Sequence, residues 1–404
     1  MNILPFSSLL NQALGKIPSC PCQGPCKGPF FAPVIDLHVH VAGIGVGSNC
    51  RISPGLLKNW RYGIYLKAFG TTEAELGKQG DGLIFEKIHR RLQASRLVDG
   101  AVLLALDQVY DPTSGQPLPE ATEVYIPNDF IIEGAAPFPG LFFGASINPY
   151  RADWEPELER VRNRGAVLIK WLPAIQRIDP SDPVLVPFYR RLAAVGLPLL
   201  VHTGAERSFS RNRDNLGDPH LLNLPLEQGV TVIAAHVATT GRTGGQSHVD
   251  RLLQMLREFP RLFTDISSLT QLNKLSYPGR IVDHVDIHAK LLYGSDFPLI
   301  SAGIGPFRLV SPWNFFWKLP WRLLRELGRI PNDWDRDLLL KRALGFPDSC
   351  FARPAELLGL TGKRGFPGSS GGRSFPFSAC GSESTLSSPP PASGKRSCEG
   401  RGFC

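Results

Sequence analysis

The chain reads as an α/β protein, a (β/α)8 TIM barrel with long loops after strands 1, 2 and 8, on three observations. Eight short apolar runs rich in Val, Leu and Ile recur at 34–40, 101–107, 141–148, 166–171, 197–202, 230–236, 262–266 and 290–295. Most are continuously apolar, as expected of strands buried on both faces in a parallel sheet, and helix-like segments lie between them. Residues able to hold a metal stand at the C-terminal ends of several runs, which is where such a barrel carries its site. An open doubly wound sheet would alternate similarly but gather its site at one switch point, and no glycine-rich phosphate loop supports it.

The first run closes with Asp36-Leu37-His38-Val39-His40. Side chains alternate along a strand, so His38 and His40 are expected on one face, Leu37 and Val39 on the other. Two inward imidazoles form half of a metal site, because neutral imidazole is a preferred ligand of zinc-like ions. The second run ends at Asp107 after a helix expected over 85–98, and the third leads into Asn148 and Arg151 before a helix over 155–163. Lys170 closes the fourth run, followed by a helix over 184–195. His202 ends the fifth, with Glu206 four residues on, and His236 ends the sixth, with Thr239 and Thr240 just beyond. A helix over 247–259 follows, its start capped within Ser247–Asp250. The eighth run leads into Asp296 and then an aromatic stretch from Pro312 to Trp321. Connections 41–84, 108–140 and 299–333 leave from the site end and are candidate lids or substrate walls; packing on the barrel exterior or in a subunit contact is the plain alternative.

With 404 residues, 43% hydrophobic and 20% charged, the chain suits a soluble globular protein. No apolar stretch is long enough to span a membrane, and the N-terminus lacks a secretory layout. Eight cysteines in this length do not suggest a disulfide scaffold, so a reduced, cytoplasmic location is expected. The Cys20-Pro21-Cys22-Gln23-Gly24-Pro25-Cys26 cluster, with Cys50 as a further thiol, fits no strong metal pattern and reads as an arm with incidental thiols. The net charge is +8, but 361–404 holds six Lys/Arg and two Glu, a balance of +4 that leaves +4 for everything before it. That Gly/Ser/Pro-rich tail is expected to be disordered, and the mildly basic remainder argues against nucleic acid. The expected organisation is an N-terminal arm (1–32), a barrel (33–360) and the tail (361–404).

Four motifs in order carry a resemblance: Asp-x-His-x-His at the first run, Val201-His202-Thr203-Gly204 at the fifth, Ala235-His236 at the sixth and Tyr293-Gly294-Ser295-Asp296-Phe297-Pro298 at the eighth. Over about 33–360 the chain resembles the amidohydrolase superfamily of metal-dependent hydrolases, in the branch that includes aminocarboxymuconate-semialdehyde decarboxylase-like proteins. The resemblance implies metal binding by His38, His40, His202 and Asp296, with His236 a ligand or a catalytic base. It also implies one divalent ion, zinc by expectation, or two if Lys170 is carboxylated.

The chemistry follows from the residues themselves. An ion held by imidazoles and a carboxylate, with one position open, lowers the pKa of bound water from about 16 to about 7 and polarises a carbonyl. Asp296 and His236 are the expected proton-transfer groups. Lys170, Arg151 and Glu206 are candidate substrate contacts, the two cations for an anionic group; a salt bridge is the plain alternative for Lys170, surface ion pairing the favoured role of Arg151, and capping of the following helix the alternative for Glu206. His89, His220, His248, His284 and His288 read as structural or solvent-facing. The expected function is a metal-dependent hydrolase acting on a small amide, lactone or ester. A non-oxidative decarboxylase on the same site is the first alternative and a non-catalytic metal-binding barrel the second. No nucleic-acid or membrane partner is expected, and a homo-oligomer is left open.

Overall fold

The computed structural model describes residues 32–206, 213–304 and 307–361. Apart from residues 32 and 361, the expected arm with its cysteine cluster and the expected tail lie outside the described residues. Strands β1 (Ile35–His40), β2 (Gly100–Leu104), β3 (Leu141–Ala145), β4 (Leu168–Trp171), β5 (Leu199–Val201), β6 (Val232–Ala234), β7 (Leu262–Asp265) and β8 (Leu291–Leu292) form one parallel sheet in chain order. The last strand's continuation meets the first. The Leu37 N–H donates to the Tyr293 carbonyl (3.3 Å), Asp296 N–H to the His38 carbonyl (3.0 Å), and His40 N–H to the Phe297 carbonyl (2.8 Å). The eight-stranded barrel expected from the sequence is therefore present. Most strands stop short of their predicted ends, because the residues there turn out of the sheet to build the site.

Helices cover the sheet: α1 (Trp60–Phe69), α2 (Leu83–Ala94), α3 (Asn128–Ala135), α4 (Trp154–Asn163), α5 (Val186–Val195), α6 (Asn223–Glu227), α7 (His248–Glu258), α8 (Tyr277–Asp283), α9 (Trp321–Gly328), α10 (Asp333–Ala343) and α11 (Ser349–Leu357). α7 shows why these segments fold as they do: it buries Val249, Leu252, Leu253 and Leu256 at helical spacing and leaves charged residues outward. Ser247 sits at its N-cap as expected, but its side chain makes no capping bond.

Strand alternation sorts the core into two layers. Ala101, Leu103, Ile169, Trp171, Leu199 and Val201 pack outward with the helices. Ile35, Leu37, Val102, Leu104, Leu168, Leu200, Ile233 and Leu292 fill the interior, joined by Ala355 and Leu360. Each fully buried Leu or Ile there contributes about 2 kcal/mol. β1 departs from strict alternation, because its pairing with β2 shifts register between Asp36 and Val39. Leu37 thus joins the interior floor while Val39 faces the helices, a correction to the expectation that both share one face. Lys170 and His202 stand one alternation above Leu168 and Leu200, so the apolar floor carries a polar layer.

α10 locks the seam between β8 and β1. Its Trp334 Nε1 donates to Asp36 Oδ2 (2.7 Å), and Lys341 Nζ donates to the Gly294 carbonyl (2.8 Å) and to Asp337 Oδ2 (2.7 Å). Asp36 also accepts from the backbone N–H of His38 and Ser295 and from the Ser295 hydroxyl. Burial pushes Asp36 up to about 6 even so.

Candidate metal centre

His38 is fully buried, and its Nδ1 lies 2.8 Å from Asp265 Oδ2. Burial alone would raise Asp265, but His38, His236 and Ser267 outweigh it and hold the carboxyl far below its usual range. An ionised carboxylate only accepts, so His38 carries its proton on Nδ1 and its lone pair on Nε2. That Nε2 lies 3.1 Å from Lys170 Nζ and 3.9 Å from Asp296 Oδ1. His40 Nε2 is 3.1 Å from the same Asp296 oxygen. The ligand atoms of His38, His40 and Asp296 all lie within 4.8 Å of one another, and so do those of His38, His236 and Asp265.

His236 stands beside this group, its ring 4.9 Å from those of both His38 and His202. Its Nδ1 is 2.7 Å from Ser267 Oγ and 3.2 Å from Ser268 Oγ. The Ser267 hydroxyl donates to Asp265 Oδ1, which leaves its oxygen to accept from His236 Nδ1. Asp265 therefore orients His38 directly and His236 through Ser267, and it accepts the His236 backbone N–H as well (2.9 Å). In both rings the lone pair is thereby directed to Nε2, which at His38 faces Lys170 Nζ.

His202 Nε2 is buried and makes no hydrogen bond; Glu206 Oε2, 3.5 Å away, is outside bonding geometry. A buried nitrogen without a partner costs about 1–3 kcal/mol and calls for an explanation. A cation supplies one. His38, His40 and Asp296 supply two imidazoles and a carboxylate, donor types suited to zinc-class ions, so the residues present fit a metal; His202 is not among the groups whose ligand atoms lie within 4.8 Å of one another. Burial, reinforced by Lys170 at His38, pushes His38 and His202 down to about 4 and His236 well below its ordinary value. All three are neutral at pH 7, the form that binds metal. Burial works to raise Asp296, yet His236, the His40 hydrogen bond and His38 hold it well below the carboxylate range.

Two amines border the cluster. Lys170 is buried and pushed down to about 8 by that burial, against the pull of Asp265 and Asp296. Lys274 donates to Ser268 Oγ (2.5 Å) and is lowered by the same cause. The backbone is strained here: His236, Val237, Ala238, Thr240, Ser268 and Asp296 have φ of 60°, 51°, 49°, 76°, 54° and 65°. Non-glycine residues in this region cost on the order of 1 kcal/mol each and cluster at functional sites. Gly204 is required by packing as well as by its φ of +92°, since a Cβ there would lie 2.2 Å from the Thr239 carbonyl oxygen.

Of the residues the sequence singles out, His38, His40, His202, His236, Asp296 and Lys170 meet at one end of the barrel, with Glu206 beside His202. Arg151 does not join them: its guanidinium is held by Asp153 (2.6 Å) and Asp107 (3.2 Å) and lies over the Tyr110 ring. With Asp107, Asn128 and Glu157 it lines a separate pocket. The remaining histidines are occupied elsewhere. His248 Nε2 meets Thr243 Oγ1 (2.8 Å), His288 Nε2 the Val282 carbonyl (2.9 Å), and the His89 ring packs on Phe138. His220 and His284 pair with Asn223 and Arg257. Asp265, Ser267, Ser268 and Lys274 are the site residues that sequence reasoning passes over. Asp265 was findable, because it stands one residue before the end of the seventh apolar run, close to the position His202 takes in the fifth.

A family model described as amidohydrolase matches residues 35–325. No curated protein matches the chain. Among solved structures, an uncharacterised TIM-barrel protein of Bordetella bronchiseptica is similar at 13% identity and TM-score 0.46, over 77% of this chain and 99% of that one. The 5-carboxyvanillate decarboxylase of Sphingomonas paucimobilis is similar at 14% identity and TM-score 0.43, over 82% and 100%. The 4-oxalomesaconate hydratase of Rhodopseudomonas palustris is similar at 16% identity and TM-score 0.39, over 81% and 98%.

Proposed function

The chain belongs to the amidohydrolase family, and from that premise we propose a metal-dependent hydrolase that activates water against a small amide, lactone or ester. The observation carrying this reading is the convergence of the His38, His40 and Asp296 ligand atoms within 4.8 Å, beside the unpartnered His202 nitrogen. His38, His40, His202 and Asp296 would hold the ion. When bound, a divalent ion supplies Lewis acidity, polarising a carbonyl and bringing the pKa of water near neutrality.

The chain's own groups do the rest. Asp296, kept ionised, accepts a proton from the attacking water and passes it to the leaving group. His236, with Nδ1 committed to Ser267, offers Nε2 to share that transfer. Lys170 is placed to pair with developing negative charge, and Glu206 to contact the substrate on the His202 side. The apolar floor beneath keeps bulk water from the buried side of the cluster.

A second reading, non-oxidative decarboxylation, draws support from the two buried amines. Lys170 and Lys274 could both pair with the carboxylate of an acidic substrate.

The test is a substrate panel of amides, lactones, esters and carboxylic acids, scored for water incorporation and for carbon dioxide. Hydrolysis predicts uptake of the oxygen of oxygen-labelled water into the product without gas; gas release without oxygen uptake would replace it by the second reading. His236→Asn is expected to lower kcat by about 10²–10⁴ while the metal is retained.

A further inference from the structure

The connection after β8 carries a surface that the barrel does not use. Trp313, Phe316, Trp317 and Trp321 are exposed by 39%, 66%, 57% and 68%. Trp313 and Trp321 rings lie 4.7 Å apart, and those of Phe316 and Trp317 5.2 Å apart. Local packing is satisfied by other residues: Phe315, Leu319, Leu323, Leu324 and Leu327 are buried. α9 thus turns its leucines inward and leaves Trp321, Arg322 and Arg325 outside. From 311 to 330 the chain has Lys318, Arg322, Arg325 and Arg329 against Glu326 alone, 4 − 1 = +3. Arg329 pairs with Glu326 (3.2 Å), while Lys318, Arg322 and Arg325 have no ion pair among the described residues.

We propose that this aromatic and basic surface docks the protein on an anionic lipid membrane. Indole rings favour the headgroup level of a bilayer, where one end is apolar and the other wet. Neighbouring cations add attraction to acidic headgroups. Charge complementarity selects this occupant over the alternatives. A two-fold contact between copies would press the same three unpaired cations against one another. The chain's own 361–404 segment carries +4 and meets the same repulsion. No helix of the described residues is long and apolar enough to cross a membrane, so the attachment is to its surface. The sequence-based expectation of no membrane partner rests on that missing span, which surface attachment does not need.

The experiment uses the full chain with vesicles of phosphatidylcholine alone and of phosphatidylcholine with phosphatidylserine. The protein should sediment with the mixed vesicles, with blue-shifted tryptophan emission, and be released by salt. The triple variant Lys318→Gln/Arg322→Gln/Arg325→Gln should partition about a hundredfold more weakly. Phe316→Ser/Trp317→Ser should lose the emission shift, with circular dichroism unchanged in both variants. Absence of binding to mixed vesicles at low salt overturns the proposal, and so does equal binding to neutral ones. Undiminished binding by both variants would assign attachment elsewhere in the chain, and a dimer dissociated by Phe316→Ser/Trp317→Ser would make the surface a self-contact.

Discussion

Asp265 is no expected ligand of the substrate, yet two imidazoles take their orientation from it. Such carboxylate partners typically contribute 10–100-fold to metal affinity. Asp265→Asn is therefore expected to weaken the metal by about that factor, read by competition with a chelator, with the fold retained. The histidines make a second prediction. His202 is held near 4 in the fold, against 6.5 for an ordinary imidazole, by burial first. Between those values the unfolded chain binds more protons than the native one, so stability is present above 6.5 and lost as pH falls through 4. Urea denaturation of the metal-free protein should lose on the order of 3 kcal/mol across that window through this group. His202→Asn should flatten the loss; an unchanged profile would contradict the burial argument. His40, His202 and His236 are legible in the sequence because each ends an apolar run, His38 because it stands two residues before His40, and Asp296 because it directly follows the eighth run. Lys274 and Ser268 are not, because they reach the site from a loop with no periodic signature.

The element that most constrains the site from outside is α10, which ties the barrel seam. The side chains of Lys341 and Asp337 are exposed by only 0% and 1%, and Asp337 also accepts from Thr270 Oγ1 (2.9 Å). Removing one partner of a buried pair leaves the other charge uncompensated, at about 3–5 kcal/mol. Asp337→Ala should lower unfolding free energy by that amount in chemical denaturation, whereas a loss below 1 kcal/mol would mean the pair is dispensable. At this scale the sequence was informative about strands and poor about seams. The eight runs are buried on both faces, so their composition alone marks them. The Asp36–Trp334 and Gly294–Lys341 links join residues 298 and 47 positions apart, which no local pattern encodes. The same holds for the shift in β1 register, since alternation by itself assigns Leu37 to the wrong face.

Across the whole molecule, the barrel organises its contents by depth: an apolar floor, a polar layer of histidines and carboxylates, then long connections at the rim. The 33–360 boundary proposed from composition predicts that a chain ending at Leu360 binds metal with the affinity of the full chain. The two would be compared by the same chelator competition. We propose that β1, the end of β5 and the turn after β8 together hold one divalent cation. Elemental analysis of the purified protein beside His38→Ala, His202→Ala and Asp296→Asn tests it most directly. The parent should carry about one equivalent of divalent metal and all three variants strongly reduced occupancy; full occupancy with full turnover in those variants would contradict this assignment.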